Sequence, residues 1–359
     1  MTFDLPQELI EEILDRLGGD FRALRTCSLV CSAWVPRCNL FKSVTLHTLA
    51  MGDTSNVLSF RDLLQSPCCT FLRHVRSFHS LRRFGDPDDC HFEQISTDLR
   101  RLSGVVELKM SAHIDGDATA DSFFTTGFFR SFPQVTHLVL DYILLREQPM
   151  PVINLICLFP ALPKLRVLYF TGIWADPPVS AFPPRSLRIV LLDWSLACGR
   201  ILAWLLTFNH LPNVESLRLH FLKPADVPTV RAAMKQIGGA LRHLEIKHSE
   251  GVFDFSLHPK LQTLAIHTWD LGLDELLILI HSLAGLPLQR LSLNVDRTLL
   301  RIFNWTPVDV FLSPPRFPLL RTVRFVCSLH DDPEFLRRAL PLLEASGRLQ
   351  SEQDPLIML

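Results

Sequence analysis

A short apolar signature returns along most of this 359-residue chain. Its form is apolar-x-x-apolar-x-apolar. It stands at Val105/Leu108/Met110, Val135/Leu138/Leu140, Leu165/Leu168/Phe170 and Leu187/Val190/Leu192. It continues at Val214/Leu217/Leu219, Leu241/Leu244/Ile246, Leu261/Leu264/Ile266, Leu288/Leu291/Leu293 and Leu320/Val323/Phe325. A weaker copy opens the series at Leu72/Val75, with Ser77 in the third place. The last two apolar positions lie two residues apart, so they share one face of an extended strand, and the first sits at the turn into it. So short a strand gains stability only when a like strand stacks beside it. Successive starts lie 20 to 33 residues apart, the span of one supersecondary unit in a repeat array. Pro133, Pro163, Pro212, Pro259 and Pro318 each stand two residues ahead of the first apolar position, and Gly239 holds that place before Leu241. Proline there stops a preceding helix and sets the chain extended.

Helical stretches fill several intervals. Asn56 to Leu64, Gly199 to Phe208, Asp226 to Ile237 and Asp274 to Leu283 read as helices, the third closed by Gly238-Gly239. A last one opens at Asp331 and runs to about Leu343, with Pro341 distorting its end. Residues 84–90, 112–120 and 176–184 read as polar or proline-rich loops. Two rival architectures are a helical solenoid and a doubly wound α/β sheet. The second would show near-continuous Val/Ile runs and a glycine-rich phosphate turn, whereas these strand seeds are short and regularly punctuated. The signature resembles that of leucine-rich repeats. The resemblance implies an α/β solenoid with a parallel inner sheet and convex helices. The asparagine or cysteine usual in that family after the third apolar position is mostly absent, and Asn294 follows Leu293 directly, so the solenoid is expected to be irregular.

The first 46 residues have a different grammar. Pro6 suits the first turn of a helix. Leu9, Ile13 and Leu17 recur at helical spacing with Ile10 and Leu14 beside them, and Glu8, Glu11, Glu12 and Asp15 take the other face. Gly18-Gly19-Asp20 ends that helix and caps a second bearing Phe21, Leu24 and Cys27; a third short segment holds Val30, Cys31 and Trp34. Three helices in about 35 residues cannot bury so much apolar surface among themselves. Leu5-Pro6-x-Glu8-Leu9-Ile10-x-x-Ile13-Leu14, then Leu24, then Val30-Cys31-x-x-Trp34, resembles an F-box. As a whole the chain is similar to F-box/leucine-rich-repeat proteins of fungal type. The resemblance implies that Leu5, Pro6, Leu9, Ile13, Leu14, Leu24, Val30, Cys31 and Trp34 bind a Skp-type adaptor, and through it the cullin scaffold of an SCF ubiquitin ligase. It implies no catalysis by the chain itself. The expected organisation is an F-box over 1–46, a connecting helix or linker over 47–70, about ten repeat units over 71–345, and a loose C-terminal tail over 346–359.

Composition narrows the function further. Hydrophobic residues make up 48% and charged residues 20%, enough for a large core. Lys+Arg number 36 against Asp+Glu 37, a balance that argues against a general nucleic-acid or anionic-membrane binder. The nine cysteines show no framework spacing and the N-terminus no signal peptide, so cytoplasm or nucleus is the expected compartment. No phosphate loop, nucleophile elbow or HExxH helix is present. Cys68-Cys69 with Cys90-His91 lacks zinc-knuckle spacing, and no metal or cofactor is expected. A catalytic site too dispersed to see in a sequence stays as an alternative. In the repeat register, residues flanking the second and third apolar positions face outward. The densest group is Arg218, His220, His243, Glu245, Lys247 and His267, a candidate docking surface for a target protein of unknown identity. The plain alternative is the solvated face that strand alternation produces in any case.

Overall fold

The computed structural model describes residues 6–17, 20, 23–24, 26–27, 34, 43–47, 56–67, 69, 72–84, 89–114, 127–150, 152–174, 181–193, 198–220, 222–247, 254–267, 273–294, 304–314, 316–327 and 333–353. The chain divides into two compact units, residues 1–162 with 170–184, and residues 163–169 with 185–359.

The first unit holds helix α1 (Gln7–Arg16), strand β1 (Ser43–His47), α2 (Asn56–Gln65), β2 (Ser77–Phe84), α3 (Asp89–Leu99), β3 (Glu107–Ile114), β4 (His137–Met150) and α4 (Val152–Cys157). Strands β1 to β4 pair in parallel and in chain order. Phenylalanines fill the space behind this sheet. The Phe78 ring lies 5.2 Å from Phe132 and 6.2 Å from Phe128, centroid to centroid, and all three are fully buried.

The second unit takes residues 164–169 of β5 (Lys164–Trp174). It continues with β6 (Ile189–Asp193), α5 (Cys198–Thr207), β7 (Ser216–His220), α6 (Val227–Ile237), β8 (His243–Lys247) and β9 (Thr263–His267). Then come α7 (Leu273–Ser282), β10 (Arg290–Asn294), α8 (Thr306–Phe311), β11 (Thr322–Cys327), α9 (Pro333–Ala339), α10 (Pro341–Ala345) and β12 (Leu349–Gln353). Each strand pairs in parallel with the next, so sheet order is again chain order. Leu217, Leu244, Leu264, Leu291 and Val323 form one buried row across β7 to β11, and Leu219, Ile246, Ile266, Leu293 and Phe325 form the next. This one-strand-per-repeat arrangement, parallel and sequential, is the α/β fold expected of the signature.

Two copies of the signature sit three residues away from where the sequence places them. The copy expected at Leu165/Leu168/Phe170 is Leu162/Leu165/Val167: Leu165 pairs with Val190 and Val167 with Leu192, while Leu168 faces Asp193 across the pair. Both triplets fit the template, and the burial of Leu162 decides between them. Pro160 then stands two residues ahead of Leu162, so the proline rule holds through Pro160 and not Pro163. The weak copy at Leu72/Val75/Ser77 is likewise Val75/Phe78/Ser80, with Ser80 buried in the third place.

The strands also reach further at both ends than the signature marks. β1 lies in the stretch assigned to the helical module, pairing Val44 with Phe78 and Leu46 with Ser80. β12 lies in the expected loose tail, pairing Leu349 with Val323 and Ser351 with Phe325. A strand with one backbone partner needs little apolar signal, because main-chain hydrogen bonds carry much of its pairing. In β1 the one buried side chain described is Leu46.

Helix ends follow local chemistry. The Asp20 side chain accepts the Ala23 amide at 3.0 Å, as its capping role requires. Asp226 stands at the start of α6 and makes no side-chain cap bond; the other end of the helix stops on Gly238 at φ +52°, a conformation that favours glycine, as the Gly238-Gly239 pair leads one to expect. Pro341 divides the last helix in two, with Leu340 at φ −127°, ψ 58° between them. The first amides of α10 are met from a distance: Asp309 Oδ2 accepts from Leu342 N at 2.8 Å, and Oδ1 from Leu343 N at 2.9 Å.

Candidate functional site

Parallel pairing arranges the outward residues of the second unit in rows. One row runs Arg218, Glu245 and Ala265 across β7, β8 and β9. The next runs His220, Lys247 and His267. Ala265 leaves room beside Glu245, and both imidazoles lean back across the diagonal toward its carboxylate. Glu245 Oε1 lies 2.9 Å from His220 Nε2 and 3.4 Å from His267 Nε2, while Arg218 Nε donates to Oε2 at 2.6 Å. The two rings meet edge to face at 5.5 Å.

A second carboxylate closes the group from β6. Asp193 is 4% exposed. Its Oδ2 lies 3.5 Å from Arg166 and 3.6 Å from Arg218, and its Oδ1 lies 3.3 Å from His220 Nδ1 without hydrogen-bond geometry. His220 is therefore held between two carboxylates, one at each ring nitrogen. Burial alone would raise the Glu245 carboxyl pKa. The hydrogen bonds from His220 and His267 and the Arg218 charge overcome it and hold the group well below the usual carboxylate range.

Of the six residues expected to form the docking surface, Arg218, His220, Glu245 and His267 come together. His243 and Lys247 flank Glu245 on the same face of β8. Burial lowers the His243 pKa, the Arg290 and Arg242 charges lower it further, and Glu215 opposes them. Asp193 and Arg166 complete the cluster. Asp193 directly follows the third apolar position of its repeat, Leu192, and its sequence neighbours do not mark it as part of the dense group. Arg166 falls on the outward face only in the register that starts at Leu162, and Pro160 is the sequence signal for that register.

The N-terminal residues divide differently. Leu14 and Leu24 are buried against each other, with Ile10, Leu17, Cys27 and Trp34 packed around them. Leu9 and Ile13, one turn apart on α1, are 48% and 49% exposed. Pro6 is exposed ahead of the helix and accepts the Leu9 and Ile10 amides through its carbonyl. Leu5, Val30 and Cys31 lie outside the described residues. Trp34, expected as an adaptor anchor, is partly committed to the internal cluster.

Comparison with protein-family profiles and with curated proteins finds no significant match. Among solved structures, the chain is similar to human 5T4 (Wnt-activated inhibitory factor 1, trophoblast glycoprotein) at 14% identity, over 86% of this chain and 84% of that one. The TM-score is 0.28, and a likeness that distant carries no argument about function. Among the described residues no helix is long and apolar enough to cross a membrane.

Proposed function

We propose that this protein is a non-catalytic substrate-recognition subunit of an SCF-type ubiquitin ligase. In this reading the N-terminal helices bind a Skp-type adaptor, and through it a cullin, while the outward face of the repeat strands holds a target protein. The work is done by tethering: a bound target presents its lysines at raised effective concentration to the ubiquitin-charged enzyme. The supporting observation is α1, which has two apolar sides. Leu14 seals a small internal cluster, and Leu9 and Ile13 form a half-exposed ridge on a helix whose residue pattern resembles an F-box. Apolar side chains on such a ridge are suited to become interface anchors.

The test is co-purification of the full chain with a Skp-type adaptor and a cullin. Leu9→Ala with Ile13→Ala should cut adaptor recovery by a factor of roughly thirty, corresponding to about 2 kcal/mol. Both side chains are half-exposed, so the variant keeps its fold, which circular dichroism checks. Unchanged recovery of both partners from the folded variant would refute the assignment of this ridge. Adaptor binding without cullin would leave a repeat scaffold with no ligase role.

A further inference from the structure

We propose that His220, Glu245 and His267 form a binding site for a divalent transition-metal ion of the zinc class on the outward face of β7, β8 and β9. Three adjacent strands each supply one ligand atom, and all three atoms lie within 4.8 Å of one another. Zinc with bonds of roughly 2.0–2.1 Å and tetrahedral geometry places its ligand atoms about 3.3 Å apart. The separations from Glu245 Oε1, 2.9 Å to His220 and 3.4 Å to His267, bracket that value. The two imidazole nitrogens lie within 4.8 Å of each other, and side-chain rotation brings them toward that separation when an ion is seated. Two imidazoles and one carboxylate are a ligand set that zinc and ferrous iron accept.

The surroundings supply what a ligand triad needs from its neighbours. Metal-bound histidines commonly present their other nitrogen to a carboxylate, which fixes ring orientation and raises ligand basicity. Asp193 Oδ1 stands 3.3 Å from His220 Nδ1 in that position, buried and without a hydrogen bond of its own. Arg218 holds the second Glu245 oxygen at 2.6 Å, leaving Oε1 turned to the imidazoles. Arg166 and Arg218 offset the charges of Asp193 and Glu245. Lys247 lies between the two histidines in register. Three protein ligands leave a fourth position for water or for a group on a docked partner. This inference does not depend on the adaptor reading.

The test loads the chelator-treated full chain with Zn²⁺ or Co²⁺ alone. We expect one ion per chain, and a four-coordinate Co²⁺ spectrum free of thiolate charge-transfer absorption, which separates this site from the cysteines. His220→Ala and His267→Ala should weaken Zn²⁺ binding by more than about 100-fold, and Asp193→Asn by roughly 10- to 100-fold. His243→Ala, on the same face but outside the triad, should leave it unchanged. X-ray absorption of zinc-loaded wild type provides a readout that needs no variant, with two imidazoles and no sulfur expected. Sulfur ligation, absence of stoichiometric binding, or equal affinity in the folded histidine variants would overturn the proposal.

Discussion

Glu245 joins Arg218, His220 and His267 on the outward face, and the cost of removing it follows from those contacts. It accepts from Arg218 at 2.6 Å and lies 2.9 Å and 3.4 Å from two imidazoles. Breaking a fully buried ion pair costs about 3–5 kcal/mol, and breaking an exposed one about 1 or less. The Glu245 side chain is 24% exposed, so solvent screens part of the effect, and Asp193 remains to neutralise Arg218. Glu245→Ala should therefore cost about 2 kcal/mol at neutral pH in the presence of chelator, and Glu245→Gln, which keeps one acceptor oxygen, about half as much. The pH dependence has a definite sign. The folded-state carboxyl pKa is depressed, so the stabilisation is complete above the unfolded value near 4.3 and is lost as pH falls through the lower folded value. The wild-type advantage over Glu245→Gln should shrink below about pH 4.3. Because the chain has two compact units, the assay is amide exchange at β7, β8 and β9 across a urea series, which reads these strands by themselves. A loss below about 0.5 kcal/mol in Glu245→Ala would instead show a solvent-screened surface cluster that contributes little to stability.

Other expectations follow from single contacts. Asp309→Ala removes both acceptors for the first amides of α10 at a site only 2% exposed, and should cost about 2–3 kcal/mol by chemical denaturation of the second unit. Gly238→Ala meets no atom within 4 Å, so its cost, about 1–3 kcal/mol, is purely the strain of φ +52°; an unchanged midpoint would contradict that. Burial lowers the pKa of fully buried His258 despite the opposing hydrogen bond to the Gly238 carbonyl and the Asp254 charge. The unfolded chain then takes up the proton first, so stability should fall as pH drops below about 6.5, and His258→Asn should flatten that slope.

Much of the fold is legible in the sequence because each repeat carries its own period-two burial and many carry a proline two residues ahead of it. Ambiguity arose where the apolar residues overlapped two templates. Around Leu165 both triplets satisfy the pattern, and only packing of Leu162 against the core separates them. Ser80 in a buried apolar place, and β1 and β12 with single partners, leave almost no hydrophobic trace. The candidate site was legible in its members on β7 to β9, since alternation puts them on one face. Convergence was not. That Glu245 sits opposite Ala265, with two diagonal imidazoles turned toward it, is a property of inter-strand register, which no single repeat encodes. The exposed Leu9 and Ile13 and the buried Leu14 likewise share one helical pattern, and only the packing of Leu24 against Leu14 distinguishes them.

If the chain docks an adaptor as proposed, α1 is the docking helix, and its Leu9–Ile13 ridge is uncovered in the free chain. Amide exchange across Gln7–Arg16, measured with and without a purified Skp-type adaptor, addresses this directly. Strong added protection along α1 is expected in the presence of adaptor, abolished by Leu9→Ala with Ile13→Ala, with exchange in β7 to β9 unaltered. Identical exchange of α1 with and without saturating adaptor would contradict it.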